Sequence, residues 1–493
     1  MNGPTYTLDP ERPEGRPRAA GGSQLLVWLA WLVVVLVLIW RGLLPAVVST
    51  PEPSEVREAQ AEALVDVVMR LQGRVLLAVH RLSTLQNTPM PPDEIRALEI
   101  GSVGQRQRAA VLAGVLLGPD QAVESLHRLR ASAASAGHPL TEVQRKTDAV
   151  LLQVFTDEGS HSSHDRSTVQ GTLSGAERSL LKQQLGWFGE LTIARTQPDA
   201  KVLWTKFQSD AMSLLVVLLS IFFGGILLGL LGLAGLVVGL VLALKGRLRG
   251  LPSSHSPGLF IETFAVWLVT FLVLSELVAF LQFGLFGAIV IFFVSLVALA
   301  WLPIRGMSFS QALGEIGLTW GRGFWREIGS GFAGFLMMLP ILLVGVTCTL
   351  LLVKLAEYFG SNEEGFRSDA GPAHPIFAVF VDASVLDVVV VFLAASVAAP
   401  IVEEVAFRGL LYRHLRDGSR RWLPWLSIAF AALLSGFIFA AIHPQGWMAI
   451  PALGSIGVAL ALAREWRSSL VAPMVMHGLQ NGLVMCMVLL MVG

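Results

Sequence analysis

Nine apolar stretches, at 25–46, 211–244, 259–282, 284–303, 331–356, 377–402, 423–442, 447–463 and 469–492, leave this chain few ways to fold. A helix needs about 20 apolar residues to cross a hydrocarbon core of roughly 30 Å. A chain with this many such stretches buries its backbone polar groups in lipid only as a bundle of helices or as a closed barrel, and runs of this length select helices. Composition agrees: 54% of the 493 residues are hydrophobic and 15% are charged, with a mean hydropathy of +0.64. The fold class expected is all-α, a polytopic membrane bundle of about eight spans plus one N-terminal anchor span, with a helical extramembrane insertion. The net charge of zero, with no basic tract interleaved with aromatics, points away from nucleic acid.

The segments between the spans set the domain plan. Residues 1–24, rich in Pro, Gly and Arg, read as a disordered cytoplasmic tail. The stretch 25–46 is too long and too rich in Trp for a cleaved signal segment and reads as a signal anchor. Residues 47–209 lose the membrane character and show apolar residues at helical spacing, as over 56–85, so they read as a helical extracytoplasmic domain. Residues 210–493 form the bundle. Basic residues in short loops stay cytoplasmic, and nine spans put Arg12, Arg16 and Arg18, the Lys245 to Arg249 loop, Arg305, Arg322 and Arg326, the cluster from Arg408 to Arg421, and Arg464 with Arg467 on one side. This places the N-terminus in the cytoplasm of a bacterial inner membrane. The two cysteines, Cys348 and Cys486, both fall in apolar stretches and supply no disulfide framework or thiolate metal site.

Charge inside the spans is where function is sought, because an ionised side chain near the centre of a spanning helix costs about 2.5–3.5 kcal/mol. Glu262, Glu276 and Asp387 are lone acids, read as cavity-lining or as carboxylates at helix boundaries, the latter above all for Glu262. His161, His164 and Asp165 have a metal-like composition in a polar loop with no further ligands nearby. Gly225/Gly229 and Gly235/Gly239 are read as packing positions. The C-terminal third is different. Glu403 and Glu404 are followed by Arg408; His443 ends an otherwise apolar stretch; His477 and Asn481 stand one helical turn apart. Glu404 and Arg408, at i and i+4, form an ion pair on one helix face, which leaves Glu403 as the free carboxylate and the candidate base. His477 and Asn481 supply donors for an oxyanion.

These three motifs, Glu403-Glu404-x-x-x-Arg408 with Gly409, Phe439-x-x-x-His443 and His477-x-x-x-Asn481, resemble those of the CPBP intramembrane protease family, which includes the CAAX prenyl endopeptidases and bacterial bacteriocin-processing and immunity proteins. Motif similarity covers about 380–493, and the spans from 211 complete a bundle of the family's size. The resemblance implies peptide-bond hydrolysis near a membrane surface, on a membrane-associated or lipidated peptide or protein, with membrane lipids as the other partner. Two mechanisms fit the residues. In the favoured one, which requires no cofactor, Glu403 with His443 activates a water while His477 and Asn481 steady the oxyanion. In the other, Glu403, His443 and His477 bind a divalent metal such as zinc; the His-Glu-x-x-His helix that would argue for zinc is not present. The competing class is a non-enzymatic scaffold, or a carrier that uses the same charges as a relay. One difficulty is depth: if 423–442 crosses fully, His443 lies on the opposite side from Glu403 and His477. Either the span starts late or the chain breaks near Pro444.

Overall fold

The computed structural model describes residues 23–47, 54–88, 90–135, 139–159, 173–197, 199–248, 250–254, 256–359, 384–420 and 424–492, and among them all regular structure is helical. The His161, His164 and Asp165 run and the 357–369 loop beyond Phe359 lie outside these residues. The chain divides into two compact units, one drawn from Pro53–Ile226 with Leu489–Gly493 and one from Met1–Glu52 with Leu227–Val488.

The first unit packs the helices Ser54–Leu85, Val103–Leu116, Pro119–Ser135, Glu142–Gly159, Gly175–Leu185 and Trp187–Arg195 around an apolar core that includes Leu112, Phe155 and Phe188. Two of these helices start where a local rule dictates. Ser102 with Gln105, and Ser174 with Glu177, form reciprocal capping boxes that satisfy backbone N–H groups the first turn leaves open.

The second unit holds the apolar helices. Among the described residues six helices are long and apolar enough to cross a membrane: Ala200–Leu244, Pro257–Leu281, Phe324–Ala356, Val385–Gly418, Trp447–Arg467 and Val471–Leu490. Ile289–Ile304 and Phe309–Ile316 pass the same test only together, bent by 117°, and Gln24–Trp40 and Trp425–Ala441 are shorter apolar helices. Each of the nine stretches in the sequence therefore has its helix. The N-terminal helix Gln24–Val47 packs on Pro257–Leu281, and Trp31 Nε1 donates to His414 Nε2 at 3.3 Å, so it is built into the bundle.

Charges at one end of the bundle are stapled together. Arg416 donates to Glu465, which also accepts from the Tyr412 hydroxyl at 2.8 Å and from Leu251 N at 3.2 Å. Arg467 donates to both oxygens of Glu327, at 2.6 and 3.0 Å. Arg413 pairs with Asp417 and Glu315. The segment 305–323, read from the sequence only as a basic loop, contains the helix Phe309–Ile316 and a left-handed Gly317 (φ 89°), where the Arg464 guanidinium fills the space a side chain would need. The lone acids resolve differently from one another. Glu262, in the second turn of Pro257–Leu281, is buried and accepts from Trp301 Nε1 and Arg305 Nε at 3.1 and 3.2 Å, a carboxylate near a helix start paired with the neighbouring helix just ahead of the bend. Asp387 caps its own helix in a box with Ser384. Glu276 is exposed.

Candidate active site

Glu403 and Glu404 lie on a helix that is not uniformly α. The run Val385–Gly418 is π-helical over Ala394–Ala398, α-helical over Ala399–Glu404, and π-helical again over Val405–Leu411. A π-turn inserts one residue into the helical register and recurs at functional sites. The two acids thus occupy the last two positions of a six-residue α segment held between two such insertions.

Glu404 is fully buried, and its Oε1 is the hub of the site. Arg408 Nη1 donates to it at 2.8 Å, and His477 Nδ1 lies 2.9 Å from the same atom. Arg408 is also buried and passes a second bond, at 3.1 Å, to the carbonyl of Gly457 on the neighbouring helix Ile450–Arg467. The expected i, i+4 pair is present. Its carboxylate is in addition the anchor of His477, which the spacing alone did not indicate. Glu404 Oε2 has no hydrogen-bond partner among the described residues. Glu403 is partly exposed, at 16% of its side chain, and its one ionic neighbour within 4 Å among the described residues is His477 Nε2, at 3.8 Å. The imidazole of His477 therefore stands between two carboxylates.

His443 joins this group. The helix Pro424–Ala441 stops short of Pro444, the chain turns through 442–446 with Gly446 at φ 77°, and helix resumes at Trp447. Breaking before Pro444 leaves His443 part-buried and against the Phe439 ring, which also contacts His477. His443 Nδ1 lies 2.5 Å from the carbonyl of Phe439, which directs Nε2 away from the helix. The Phe439 ring ties the motifs together: its centroid is 4.3 Å from that of His443, 5.8 Å from that of His477, and 4.7 Å from Arg408 Cζ. Phe439 is the motif residue to which the sequence reading gave no role, although its spacing from His443 was visible. Asn481 is placed differently from its expected use, with Nδ2 donating to the carbonyl of Ala395 at 2.8 Å.

Residues 385–483 match the sequence model of the type II CAAX prenyl endopeptidase Rce1-like family. This region is Rce1-like. The match covers the three motifs and all the site residues named above. Similarity to individual proteins is confined to the same scale: 32% identity over 109 residues to an uncharacterized 24.3 kDa protein of Escherichia coli, covering 22% of this chain and 48% of that protein, and 33% identity over 98 residues to the membrane-embedded CAAX protease MroQ of Staphylococcus aureus (strain USA300), covering 19% and 38%. The chain thus spans about half the length, or less, of the curated relatives it matches. No solved structure matches it.

The chemistry open to the Rce1-like region is that of a carboxylate beside two imidazoles in largely buried surroundings, where charge interactions are stronger than in water. Among the described residues no group of three or more His, Cys, Asp or Glu side chains is gathered so as to hold a metal ion. His477 Nδ1 is directed at Glu404, which leaves its Nε2 facing Glu403 at 3.8 Å.

Proposed function

We propose that the bundle is an intramembrane endopeptidase that hydrolyses a peptide bond of a membrane-associated or lipidated substrate, with a water activated by Glu403. The observation that carries this reading is the unequal treatment of two adjacent acids: Glu404 is sealed in and shared by Arg408 and His477, whereas Glu403 faces His477 across 3.8 Å and keeps some exposure. That separation accommodates one water in contact with both groups. Glu403 takes a proton from the water as the water oxygen bonds to the scissile carbonyl carbon, and the carbonyl becomes an oxyanion. The proton then passes from Glu403 to the leaving nitrogen as the C–N bond breaks, giving a carboxylic acid and an amine. Glu404 holds the orientation of His477, and Arg408 holds Glu404.

The names of the family and of MroQ suggest the substrate class, a prenylated C-terminal CAAX peptide, which is the test substrate of choice. We place the protein in a bacterial inner membrane with its N-terminus cytoplasmic, and assign residues 47–209, expected outside the membrane, to recruiting or restricting substrate. The experiment is hydrolysis of a farnesylated CAAX peptide by the purified full chain. Glu403→Gln keeps shape but removes the proton acceptor, so turnover falls by about 100-fold or more; wild-type turnover in this variant sinks the reading in favour of a scaffold or carrier. A chelator leaves wild-type turnover unchanged, whereas full loss restored by a divalent ion would replace the metal-free route.

A further inference from the structure

The unit drawn from Pro53–Ile226 with Leu489–Gly493 holds a cavity of about 330 Å³ whose lining is half charged and half apolar. Its polar lining is Arg74, on the helix Ser54–Leu85, with Asp210 and Ser213 on Ala200–Leu244. Its apolar lining is Leu214 and Val217 of the same long helix, with Leu489 and Leu490. Positions 210, 213, 214 and 217 stand at i, i+3, i+4 and i+7, which is one face of a helix. Over a rise of about 10 Å that face passes from carboxylate to hydroxyl to hydrocarbon. The sequence sets this change at a membrane edge: Asp210 is charged, and no charged residue follows it until Lys245. The polar layer of a bilayer is about 5–8 Å deep on each side of its hydrocarbon core, so the gradient along the cavity has the length of a lipid headgroup and the first part of its chains.

Neither Arg74 nor Asp210 makes a hydrogen bond or an ion pair among the described residues. Burial holds the Arg74 guanidinium below its usual value, and the charge of Asp210 offsets this only in part. A cation and an anion that line one cavity without pairing suit a ligand that carries both charges itself. We propose that this cavity binds a zwitterionic phospholipid with a primary amine, phosphatidylethanolamine, its phosphate on Arg74, its ammonium on Asp210 and Ser213, and its acyl chains along Val217 and Leu490. A guanidinium donates charge-assisted bonds to phosphate oxygens, and an ammonium has three N–H donors for the carboxylate and the hydroxyl. A choline headgroup has no N–H to donate, and a headgroup with a phosphate and no cation meets Asp210 as a like charge. Val217 and Leu490 are exposed, which leaves the apolar end open to lipid. The cavity contains none of the residues of the candidate active site, so this assignment stands apart from hydrolysis.

The test uses the delipidated full chain in detergent, titrated in turn with dioleoyl phosphatidylethanolamine, phosphatidylcholine and phosphatidylglycerol and read by native mass spectrometry. The wild type retains one phosphatidylethanolamine, about tenfold or more tighter than either of the others. Arg74→Gln weakens phosphatidylethanolamine and phosphatidylglycerol alike by about tenfold, the loss of one charge-assisted contact. Asp210→Asn weakens phosphatidylethanolamine by a similar factor and leaves phosphatidylglycerol no weaker, because it removes a partner of the amine and a repeller of the anion together. Equal retention of the three lipids, or unchanged phosphatidylethanolamine binding in both variants, overturns the proposal. Soluble phosphoethanolamine at millimolar concentration does not displace the lipid; displacement would assign the cavity to a soluble phosphate ester and overturn it as well. If Arg74→Gln does not fold, Asp210→Asn decides by the ratio of phosphatidylethanolamine to phosphatidylcholine binding, since Asp210 is exposed. Peptide hydrolysis is not the readout, so the outcome in Glu403→Gln and the outcome here are separate results.

Discussion

Two clusters of buried charge occupy the same bundle and differ in how fully their acids are used. At the stapled end, Glu465 takes bonds from Arg416, Tyr412 and Leu251 N. Glu327 takes them from Arg467 and Arg322 N, with both oxygens engaged. At the site, Glu404 spends one oxygen twice and leaves the other without a partner, while Glu403 has a single neighbour at 3.8 Å. Both oxygens of Glu465 and Glu327 are occupied, whereas the helix-holding acids Glu262 and Glu315 each keep one oxygen without a hydrogen-bond partner among the described residues. A leftover acceptor inside a membrane carries a desolvation cost, and at Glu404 it stands on a carboxylate shared by Arg408 and His477; that grouping, beyond the spare acceptor, is what points to chemistry.

The comparison breaks or sharpens in four measurements. Glu465→Ala should have the largest effect on the fold, since it strands the buried Arg416 and breaking a buried pair costs about 3–5 kcal/mol; chemical denaturation reads this, and turnover per folded molecule should stay near wild type. Glu404→Gln should show both losses, with stability lower by about 1.5–3 kcal/mol for a charge-assisted bond and turnover lowered as His477 loses its anchor. Stability of Glu403→Gln should change by no more than about 0.5 kcal/mol, in contrast to its large effect on rate. A stability loss as large as that of Glu465→Ala would mean the two clusters do the same job.

The smallest effect tests whether a spare acceptor suffices by itself. Asp148, outside the apolar helices, is fully buried and pairs through Oδ2 with Arg130, while its Oδ1 has no hydrogen-bond partner. Burial pushes its carboxyl above the usual range, against the bond and charge of Arg130. Its stabilising contribution is therefore fully present below the unfolded value and lost as pH rises through the folded one. Glu99 is the reverse: burial raises it, but hydrogen bonds from Arg128 and Ser125 carry it below the usual value, so its contribution is lost as pH falls. Asp148→Asn should flatten the acid-side gain in the thermal midpoint, Glu99→Gln the acid-side loss, and neither should change turnover at neutral pH.

Much of this was legible in the sequence, for physical reasons. Apolar length maps directly onto helices, so the stretches at 211–244, 331–356 and 469–492 reappear as Ala200–Leu244, Phe324–Ala356 and Val471–Leu490. The four-residue spacing of Glu404 and Arg408 survives the π-turn between them because long side chains absorb the shift. The π-turns themselves were not legible, since one inserted residue leaves the apolar pattern of 394–411 unchanged. Nor was the bend after Ile304, which turns an apparent basic loop into a support for Arg464. The depth of His443 hung on where one helix stops, and Pro444 gave only a hint of it. The partner of Asn481 was hidden because a backbone carbonyl has no letter of its own.

The doubly used oxygen of Glu404 has a consequence for how such a site can diversify. Arg408 and His477 belong to different motifs, with two whole helices between them in the chain, yet both depend on one atom. An exchange at position 404 is felt at both places at once, and an exchange at either partner changes what the other receives. Variation at 404, 408 and 477 is therefore epistatic, with viable alternatives reached by concerted replacement and not by single steps.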